Sequence, residues 1–594
     1  MFSTIVNAVE IMTLDDIEIG MKGFAKTVFH GYEVEEFPIE ILDIVEDQGL
    51  NTDLILFKAS GEQIEKAGGI AAGMSGSPVY INGKLIGAIG YGWPLSNHRY
   101  GLITPIEEML KLFETTPEKN QGGSPSINLK TPLFISGMRG RSFDRMKDSF
   151  EGFGFEVMQG GGSSSVESNQ QPLESGSAIA VQLVRGDIDV ASIGTLTYKD
   201  NEKILAFGHP FNNKGNVEYL LSRAYINGII PGLETPFKLG SVTDELLGSI
   251  EVDRGAGIAG RLNIYPKIIP LRVKVNDKDR NKTNVVNVQI VKDENLLTSL
   301  ITNVSLQSLD ATLDRIGKGT ARVNYKITGK GLPDLGLERN NLFYSRNDIA
   351  AVSLYEIYNI VDIITSNPFK KVELIDIKLD IEVENIDNVA LIQEAKVLNE
   401  SIKPGDRLEV EVTICPYRQE PFVKTVFIDL PEDMNPGYAT LMIDGGLTGE
   451  SYQTIPDEAM EQEESNQAII GGYKDLESIL DDFLERPKNN ELILQVYPGY
   501  PMATVGNQSI DTETDVDSDI KENMKEKNNN TDLEENKSKT DNDNLLDDEL
   551  IEEDQEIKQL YPTEYVLEGS LNLDIGVEEI DGAETVQENR PAAE

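Results

Sequence analysis

The sequence is poor in the residue types that most often carry covalent or metal chemistry. It contains one cysteine, three histidines and one tryptophan among 594 residues. A single cysteine, Cys415, cannot form an internal disulfide, and no cysteine spacing typical of a metal site is present. A cysteine zinc site is therefore excluded. Cys415 ends the alternating apolar run 408–414 and is interpreted as a packed strand residue, not a reactive thiol.

Basic charge and long apolar runs are also scarce. The chain has 53 Lys and Arg against 101 Asp and Glu, for a net charge of -48. This charge repels phosphate backbones and anionic membranes, so the sequence argues against nucleic-acid binding. No run of about 18 apolar residues occurs, and no membrane-spanning segment is predicted.

Turn residues and short apolar runs are abundant. With 52 Gly and 26 Pro, and with apolar runs rich in Val, Ile and Leu, the sequence predicts a mainly β protein of three or more domains. Asn82-Gly83 lies between the apolar runs 78–81 and 85–91 and predicts a hairpin. Residues 106–113 follow Thr104-Pro105 and predict a short helix.

Composition shifts divide the chain into six predicted segments. They are a remnant of an export signal at 1–9, a half-domain at 10–127, a second half-domain at 128–310 with a flexible loop near 159–172, a β-rich accessory region at 311–505, a disordered acidic segment at 506–560, and a C-terminal strand and tail at 561–594. A β-sandwich is predicted over about 370–445. Residues 511–560 hold 19 acidic residues against 6 Lys and no aromatic residue.

The N-terminal residues predict where the protein acts. Val6-Asn7-Ala8 has small or apolar residues at the positions that a signal peptidase prefers. This pattern favours an exported protein, periplasmic or extracellular. An ordinary cytosolic N-terminus is the alternative.

The stretch Gly73-Met74-Ser75-Gly76-Ser77-Pro78 resembles the surroundings of a peptidase nucleophile. A serine hydroxyl reacts when a base removes its proton and backbone N–H groups stabilise the charge that develops on the attacked carbonyl. Glycines on both sides of Ser75 permit the sharp turn that presents such N–H groups. A glycine-rich turn without chemistry is the alternative, and Ser77 is interpreted as a turn residue.

If the base for Ser75 is an imidazole, it must be one of the three histidines in the sequence. His98 lies in a polar loop and His30 at a predicted hairpin tip, where solvated side chains are expected. His209 follows the apolar run 204–207 at the end of a predicted strand, which is a rigid support for a site residue. A turn histidine that merely ends this strand is the alternative.

Two segments together resemble the SpoIVB family of serine peptidases. Gly73-Met74-Ser75-Gly76-Ser77-Pro78 resembles the family's catalytic-serine segment. Gly194-Thr195-Leu196-Thr197, followed by Gly208-His209, resembles the segment that carries its catalytic histidine. The resemblance implies a chymotrypsin-like unit of two β-barrels, with Ser75 as nucleophile and His209 as base.

This sequence departs from the family's pattern in the order of its segments and in its acid. The serine segment precedes the histidine segment, so the two halves look circularly permuted. The family's aspartate upstream of the nucleophile falls on Ser60, and no PDZ-like domain is evident. Asp53, Glu62 and Asp253 remain candidate acids beside a simple Ser-His pair, so the third member of the triad is unassigned.

The sequence as a whole predicts a serine endopeptidase that acts on a protein or peptide substrate without a metal or organic cofactor. The N–H groups of Gly73 and Ser75 are the expected oxyanion donors. A catalytically inactive envelope binding or scaffold protein that kept the fold is the alternative. The sequence does not define the oligomeric state.

Overall fold

The computed structural model of the protein describes residues 9–46, 53–114, 131–160, 171–232, 234–446, 472–498 and 557–578. Strands dominate these residues, which confirms the prediction of a mainly β protein. Three predicted segments fall wholly or largely outside them: the export-signal remnant, the glycine-rich loop near 159–172 and the acidic segment 506–560.

Six strands near the start of the chain form a closed barrel. They are β1 (Lys22–Val28), β2 (Val34–Val45), β3 (Leu54–Ala59), β4 (Pro78–Ile81), β5 (Lys84–Tyr91) and β6 (Tyr100–Pro105). Their order around the barrel is β1-β2-β3-β6-β5-β4, and β4 pairs with β1 to close it. Helix α1 (Glu62–Ala67) lies between β3 and β4, and α2 (Ile106–Leu110) follows β6.

Two local predictions in this barrel are confirmed. Asn82 and Gly83 join β4 to β5, both with positive φ, which is the backbone of a tight hairpin turn. The predicted helix at 106–113 is α2 followed by a 3-10 turn at Lys111–Phe113. Thr104 does not cap this helix, because its hydroxyl donates to the carbonyl of Gly208 at 2.5 Å.

A second closed ring of six strands lies in the second half-domain. After β7 (Thr131–Ser136), α3 (Arg141–Glu151) and β8 (Phe155–Gln159), the ring contains β9 (Ala178–Gly186), β10 (Asp189–Asp200), β11 (Lys203–Ala206), β12 (Gly215–Ile230), β13 (Phe237–Arg254) and β14 (Gly257–Leu262). The pairings run β9-β10-β11-β14-β13-β12 and return to β9.

The two barrels have the same connectivity. Numbered from its own first strand, each has the order 1-2-3-6-5-4, and all neighbouring strands within each ring are antiparallel. Closure removes the exposed edges that an open sheet of this length would present. The prediction of a two-barrel unit is therefore confirmed.

The second barrel continues into a larger sheet. The eight strands from β7 through β14 belong to a 13-stranded sheet. Its other five strands are β15 (Ile268–Asp277), β16 (Lys282–Val291), β17 (Gly319–Lys330), β18 (Gly336–Ser345) and β19 (Glu373–Glu384). Four helices accompany it: α4 (Glu294–Leu313), α5 (Ile349–Val352), α6 (Tyr355–Ser366) and α7 (Leu476–Glu485). Helix α4 is buried on nearly all sides, which makes it a core helix.

The stretch Ile349–Ser366, which contains α5 and α6, is long and apolar enough to cross a membrane. However, 67% of it is buried within the fold. The core helix of a globular protein has the same length and composition, so this stretch does not contradict the prediction of no spanning segment.

A second compact unit contains the described residues of 391–445, 491–563 and 567–594. Its strands form two four-stranded sheets, with the orders β22-β21-β20-β26 and β25-β24-β23-β27. The strands are β20 (Val389–Val397), β21 (Arg407–Pro416), β22 (Phe422–Asp429), β23 (Gly437–Gly445), β24 (Glu491–Pro498), β25 (Ile557–Pro562), β26 (Val566–Glu568) and β27 (Ser570–Val577). The β-sandwich predicted over about 370–445 has its first boundary too early in the sequence, because residues 373–384 form β19 of the 13-stranded sheet. Cys415 is a half-buried residue of β21.

Candidate active site

Ser75 and His209 lie in equivalent connections of the two barrels. Ser75 lies between β3 and β4, the third and fourth strands of the first barrel. His209 lies between β11 and β12, the third and fourth strands of the second. Both side chains line one cavity of about 420 Å³. The structure thus brings together the two residues that the sequence analysis selected.

The loop around Ser75, residues 71–77, is a compact turn that we call the serine loop. The N–H of Met74 donates to the Ala71 carbonyl, and the N–H of Ser77 donates to the Met74 carbonyl. Gly76 has a φ of 89°, and a Cβ there would lie 2.0 Å from the Thr195 carbonyl oxygen. Only glycine permits so close an approach between this loop and the second barrel.

The second barrel fixes the serine loop through two threonines of β10. The N–H of Thr195 donates to the Ser75 carbonyl at 2.9 Å, and its hydroxyl donates to the Gly73 carbonyl at 3.1 Å. The Thr197 hydroxyl donates to the Gly76 carbonyl at 2.8 Å. Thr195 and Thr197 are two residues apart and so face the same side of the strand. Both threonines lie in the segment that resembles the SpoIVB family, but their position in the sequence alone indicates no role for their hydroxyls.

Two backbone N–H groups of the serine loop lack an acceptor among the described residues, those of Gly73 and Ser75. The carbonyl of Ala72 accepts from the N–H of Lys238 at 2.9 Å, and the carbonyl of Met74 accepts from Ser77 at 3.0 Å. Because a trans peptide unit directs its N–H opposite to its C=O, each bonded carbonyl fixes the direction of the next residue's N–H. These are the two N–H groups that the sequence predicts as oxyanion donors, and both are free of a protein acceptor in the described part of the chain.

The imidazole of His209 is held in one tautomer by a backbone group. Its Nδ1 lies 2.7 Å from the carbonyl oxygen of Pro210, which can only accept, so Nδ1 carries the proton. Nε2 is then a lone-pair acceptor with no partner among the described residues. The ring is 6% exposed, and burial lowers its pKa below the ordinary value. Neutral imidazole with a free Nε2 is the form that a general base requires.

Aromatic and carboxylate groups position the histidine loop, residues 207–214. The rings of Phe207 and Tyr91 lie 5.7 and 6.1 Å from the imidazole, centroid to centroid. Asp253, fully buried on β13, accepts from the N–H groups of Phe211 at 2.6 Å and Asn212 at 2.8 Å. Burial raises the pKa of this carboxyl to about 6.

The structure separates the three candidate acids from the imidazole. Asp253 contacts backbone N–H groups of the histidine loop and not the ring. Glu62 is an exposed residue of α1, paired with Lys66 at 2.6 Å, and Asp53 directly precedes β3. Ser60, at the family's aspartate position, donates its N–H to the Pro38 carbonyl. The Pro210 carbonyl is the group that orients His209 in the described part of the chain.

The other two histidines have different surroundings. His30 is exposed and contacts the ring of Tyr225 at 6.0 Å, outside the cavity. His98 is half-buried and lines the same cavity as Ser75, although its sequence context suggests a solvated loop. The reason is that the Ile70 N–H donates to the His98 carbonyl at 2.7 Å, which pins this loop against the serine loop.

Comparison with known proteins identifies the class. Residues 3–110 match the family described as SpoIVB peptidase S55, and they contain the whole first barrel and Ser75. The match supports a serine peptidase, which is a hydrolase. These residues are therefore similar to the SpoIVB-type serine peptidases. No curated protein and no solved structure matches the chain. The match ends before the second barrel, so the role of His209 is argued from geometry.

Proposed function

We propose that this protein is a serine endopeptidase in which Ser75 is the nucleophile and His209 the general base. One observation carries the proposal: equivalent connections of two identically connected barrels deliver Ser75 and an unpartnered imidazole nitrogen to one cavity. Their position in one cavity supports the roles of nucleophile and general base for these two residues.

The chemistry follows from the groups present. Nε2 of His209 accepts the Ser75 hydroxyl proton while the hydroxyl oxygen attacks the scissile carbonyl carbon. The N–H groups of Gly73 and Ser75 donate to the oxyanion that forms. The imidazolium then gives its proton to the leaving amine, and an acyl-enzyme remains. A water molecule, deprotonated by the same Nε2, hydrolyses the acyl-enzyme and regenerates Ser75.

The shared strand order supports a permuted relationship to the family. If each barrel can supply one residue from its third connection, the site is unchanged when the barrels exchange places along the chain. The order of Ser75 and His209 in the sequence is then compatible with the family's chemistry.

The proposed substrate is a protein or peptide in the bacterial envelope or outside the cell. The cavity supports this in part, because about 420 Å³ accommodates side chains near a scissile bond. The location is supported by Val6-Asn7-Ala8 in the sequence.

A catalytically inactive scaffold is the second candidate, and one observation favours it. Among the described residues no carboxylate contacts the imidazole. In serine peptidases with a Ser-His-Asp triad, replacing the aspartate that contacts the histidine lowers turnover about 10⁴-fold. A backbone carbonyl fixes the tautomer but brings no negative charge to the imidazolium.

A fluorophosphonate probe tests the proposal. Wild-type protein should be labelled at Ser75, and Ser75→Ala should not be labelled. Ser77→Ala is the matched control, since Ser77 lies two residues away with a fully buried hydroxyl that has no partner. No labelling of the wild type would favour the scaffold. Labelling that survives in Ser75→Ala would assign the nucleophile to another residue.

A further inference from the structure

A buried lysine lies directly behind the serine loop. Lys238 on β13 is 0% exposed, and its Nζ donates to the hydroxyls of Thr27 at 2.7 Å and Thr195 at 3.4 Å. No carboxylate pairs with it in the described part of the chain. A lysine in such a position is unusual, because buried ammonium groups are nearly always paired.

The surroundings of Lys238 make the burial of its charged amine energetically unfavourable. The groups that face it are uncharged: Thr27 from β1, Thr195 from β10 and Gly73 from the serine loop. Burial alone lowers its pKa to about 7, and no charged side chain contributes to that shift. An apolar side chain of similar length would avoid this cost, so the lysine is not explained by stability.

Lys238 contacts the serine loop in three ways. Its backbone N–H donates to the Ala72 carbonyl at 2.9 Å. Its methylenes pack beneath Gly73, where an added Cβ would lie 3.1 Å from the lysine Cβ. Because the Thr195 hydroxyl gives its one proton to the Gly73 carbonyl, it must accept from Lys238, so a hydrogen-bond chain runs from Nζ through Thr195 to Gly73.

We propose that Lys238 is a positioning residue for the proposed peptidase. From behind the serine loop its backbone N–H holds the Ala72–Gly73 peptide unit, which carries the N–H of Gly73. Its amine holds, through Thr195, the Gly73–Met74 unit, which joins the two peptide units that carry the N–H groups of Gly73 and Ser75. The inference rests on the proposed function of Ser75. It assigns to this lysine the alignment of the oxyanion donors, whose contribution to rate depends on sub-ångström geometry.

Saturation kinetics of fluorophosphonate labelling test this role. Lys238→Met keeps the length of the side chain and removes the amine. The maximal labelling rate constant should fall at least about fivefold, as expected for misaligned oxyanion donors. The half-saturation concentration should stay within about threefold, because it reports uniform binding and the cavity wall is unchanged. The melting temperature should be equal to or higher than that of the wild type.

Two threonine variants separate alignment from packing. Thr195→Val removes the middle of the hydrogen-bond chain and should reproduce the loss of labelling rate. Thr243→Val is the matched control, since Thr243 is a buried residue of β13 whose hydroxyl also donates to a backbone carbonyl, that of Arg223 at 3.0 Å. Its labelling rate should match that of the wild type.

The outcomes distinguish this inference from the proposed function. If wild-type Ser75 is not labelled, the proposed function fails and the role of Lys238 fails with it. If the wild type is labelled and Lys238→Met loses less than about fivefold, Lys238 is a core residue and the peptidase proposal stands. A loss in Lys238→Met that Thr195→Val does not share overturns the route through Thr195.

Discussion

The serine-bearing and histidine-bearing barrels share one strand order and differ in what surrounds them. The first barrel is closed on itself and has its own core, around Phe37, Ile41 and Phe57. The second is part of a 13-stranded sheet, and its core is continuous with that of the helices packed against the sheet. Its longest strands, β12 and β13, have 16 and 18 residues, whereas the longest strand of the first barrel, β2, has 12.

The two barrels also contribute differently to the serine loop and the histidine loop. The histidine loop is held by Asp253 of its own barrel and by Thr104 and Tyr91 of the first barrel. The serine loop forms two backbone hydrogen bonds with Ile89 of its own barrel. It accepts further hydrogen bonds from the second barrel, through Thr195, Thr197 and Lys238. Each loop is therefore held by groups from both barrels, and variants can test that dependence.

The largest expected effect is that of His209→Ala. Loss of the base should lower peptidase turnover by about 10³-fold or more, as for other members of a catalytic triad. His30→Ala is the control, because His30 is an exposed histidine outside the cavity, and its turnover should be unchanged. Turnover on a generic protein substrate measures both. Wild-type turnover in His209→Ala would place the base elsewhere.

Gly76→Ala should break the contact between the barrels at the serine loop. The added Cβ would lie 2.0 Å from the Thr195 carbonyl oxygen and 2.5 Å from the Phe207 N. We expect at least about a hundredfold loss of fluorophosphonate labelling, comparable to removing an oxyanion donor.

Gly83→Ala is the control for the backbone strain in Gly76→Ala. Gly83 also has positive φ, 77°, but nothing lies within 4 Å of its Cβ position. It should lose about 1–2 kcal/mol of unfolding free energy and keep its labelling rate. Equal labelling by the two variants would show that the close approach does not position Ser75.

Asp253→Asn should loosen the histidine loop without touching the ring. The amide keeps one acceptor oxygen and brings an NH₂ group toward the N–H of Phe211 or Asn212, so we expect about a tenfold loss of kcat and about 1–3 kcal/mol of unfolding free energy. Asp277→Asn is matched, since Asp277 is buried and accepts from the Arg280 N–H at 3.3 Å, remote from the cavity. It should be destabilised without loss of kcat. Equal kcat losses in the two variants would contradict a local effect.

The smallest expected effect is a displacement of the acidic limb of the pH profile. Catalysis needs neutral His209, and burial lowers the pKa of this imidazole. The midpoint of kcat/KM on the acidic side should therefore lie below about 6.5, the value for a solvated histidine. Asp253 also titrates, at about 6, so the limb should be measured in Asp253→Asn as well and should persist there. A midpoint above 6.5 in both proteins would rule out a buried histidine base.

Local sequence signals predicted the first barrel better than the second. Asn82-Gly83 fixes the β4–β5 hairpin through backbone conformation alone, and glycines around Ser75 mark a turn wherever they occur. The joining of residues 373–384 to the large sheet depends on pairing with β15 and β17, which are distant in sequence. No local pattern encodes such a partner.

From sequence, Ser75 and His209 could be selected as candidates, but the groups that hold them could not. Three histidines left few choices, so His209 could be selected from sequence. The group that orients His209 could not be predicted, because every residue has a backbone carbonyl and the sequence therefore does not mark the one at Pro210. Lys238 was also missed, since a lysine in a strand pattern is normally solvent-exposed.

The bond from the imidazole to the Pro210 carbonyl has a consequence for how the protein tolerates mutation. A triad that uses an aspartate can be inactivated by one codon change at the aspartate. Here the acceptor is part of the main chain, and any residue at position 210 that preserves the turn still supplies it. Proline at this position restricts φ and so limits how far the acceptor can drift. The orienting function is thereby protected against most single substitutions, and its loss requires a change in the path of the backbone.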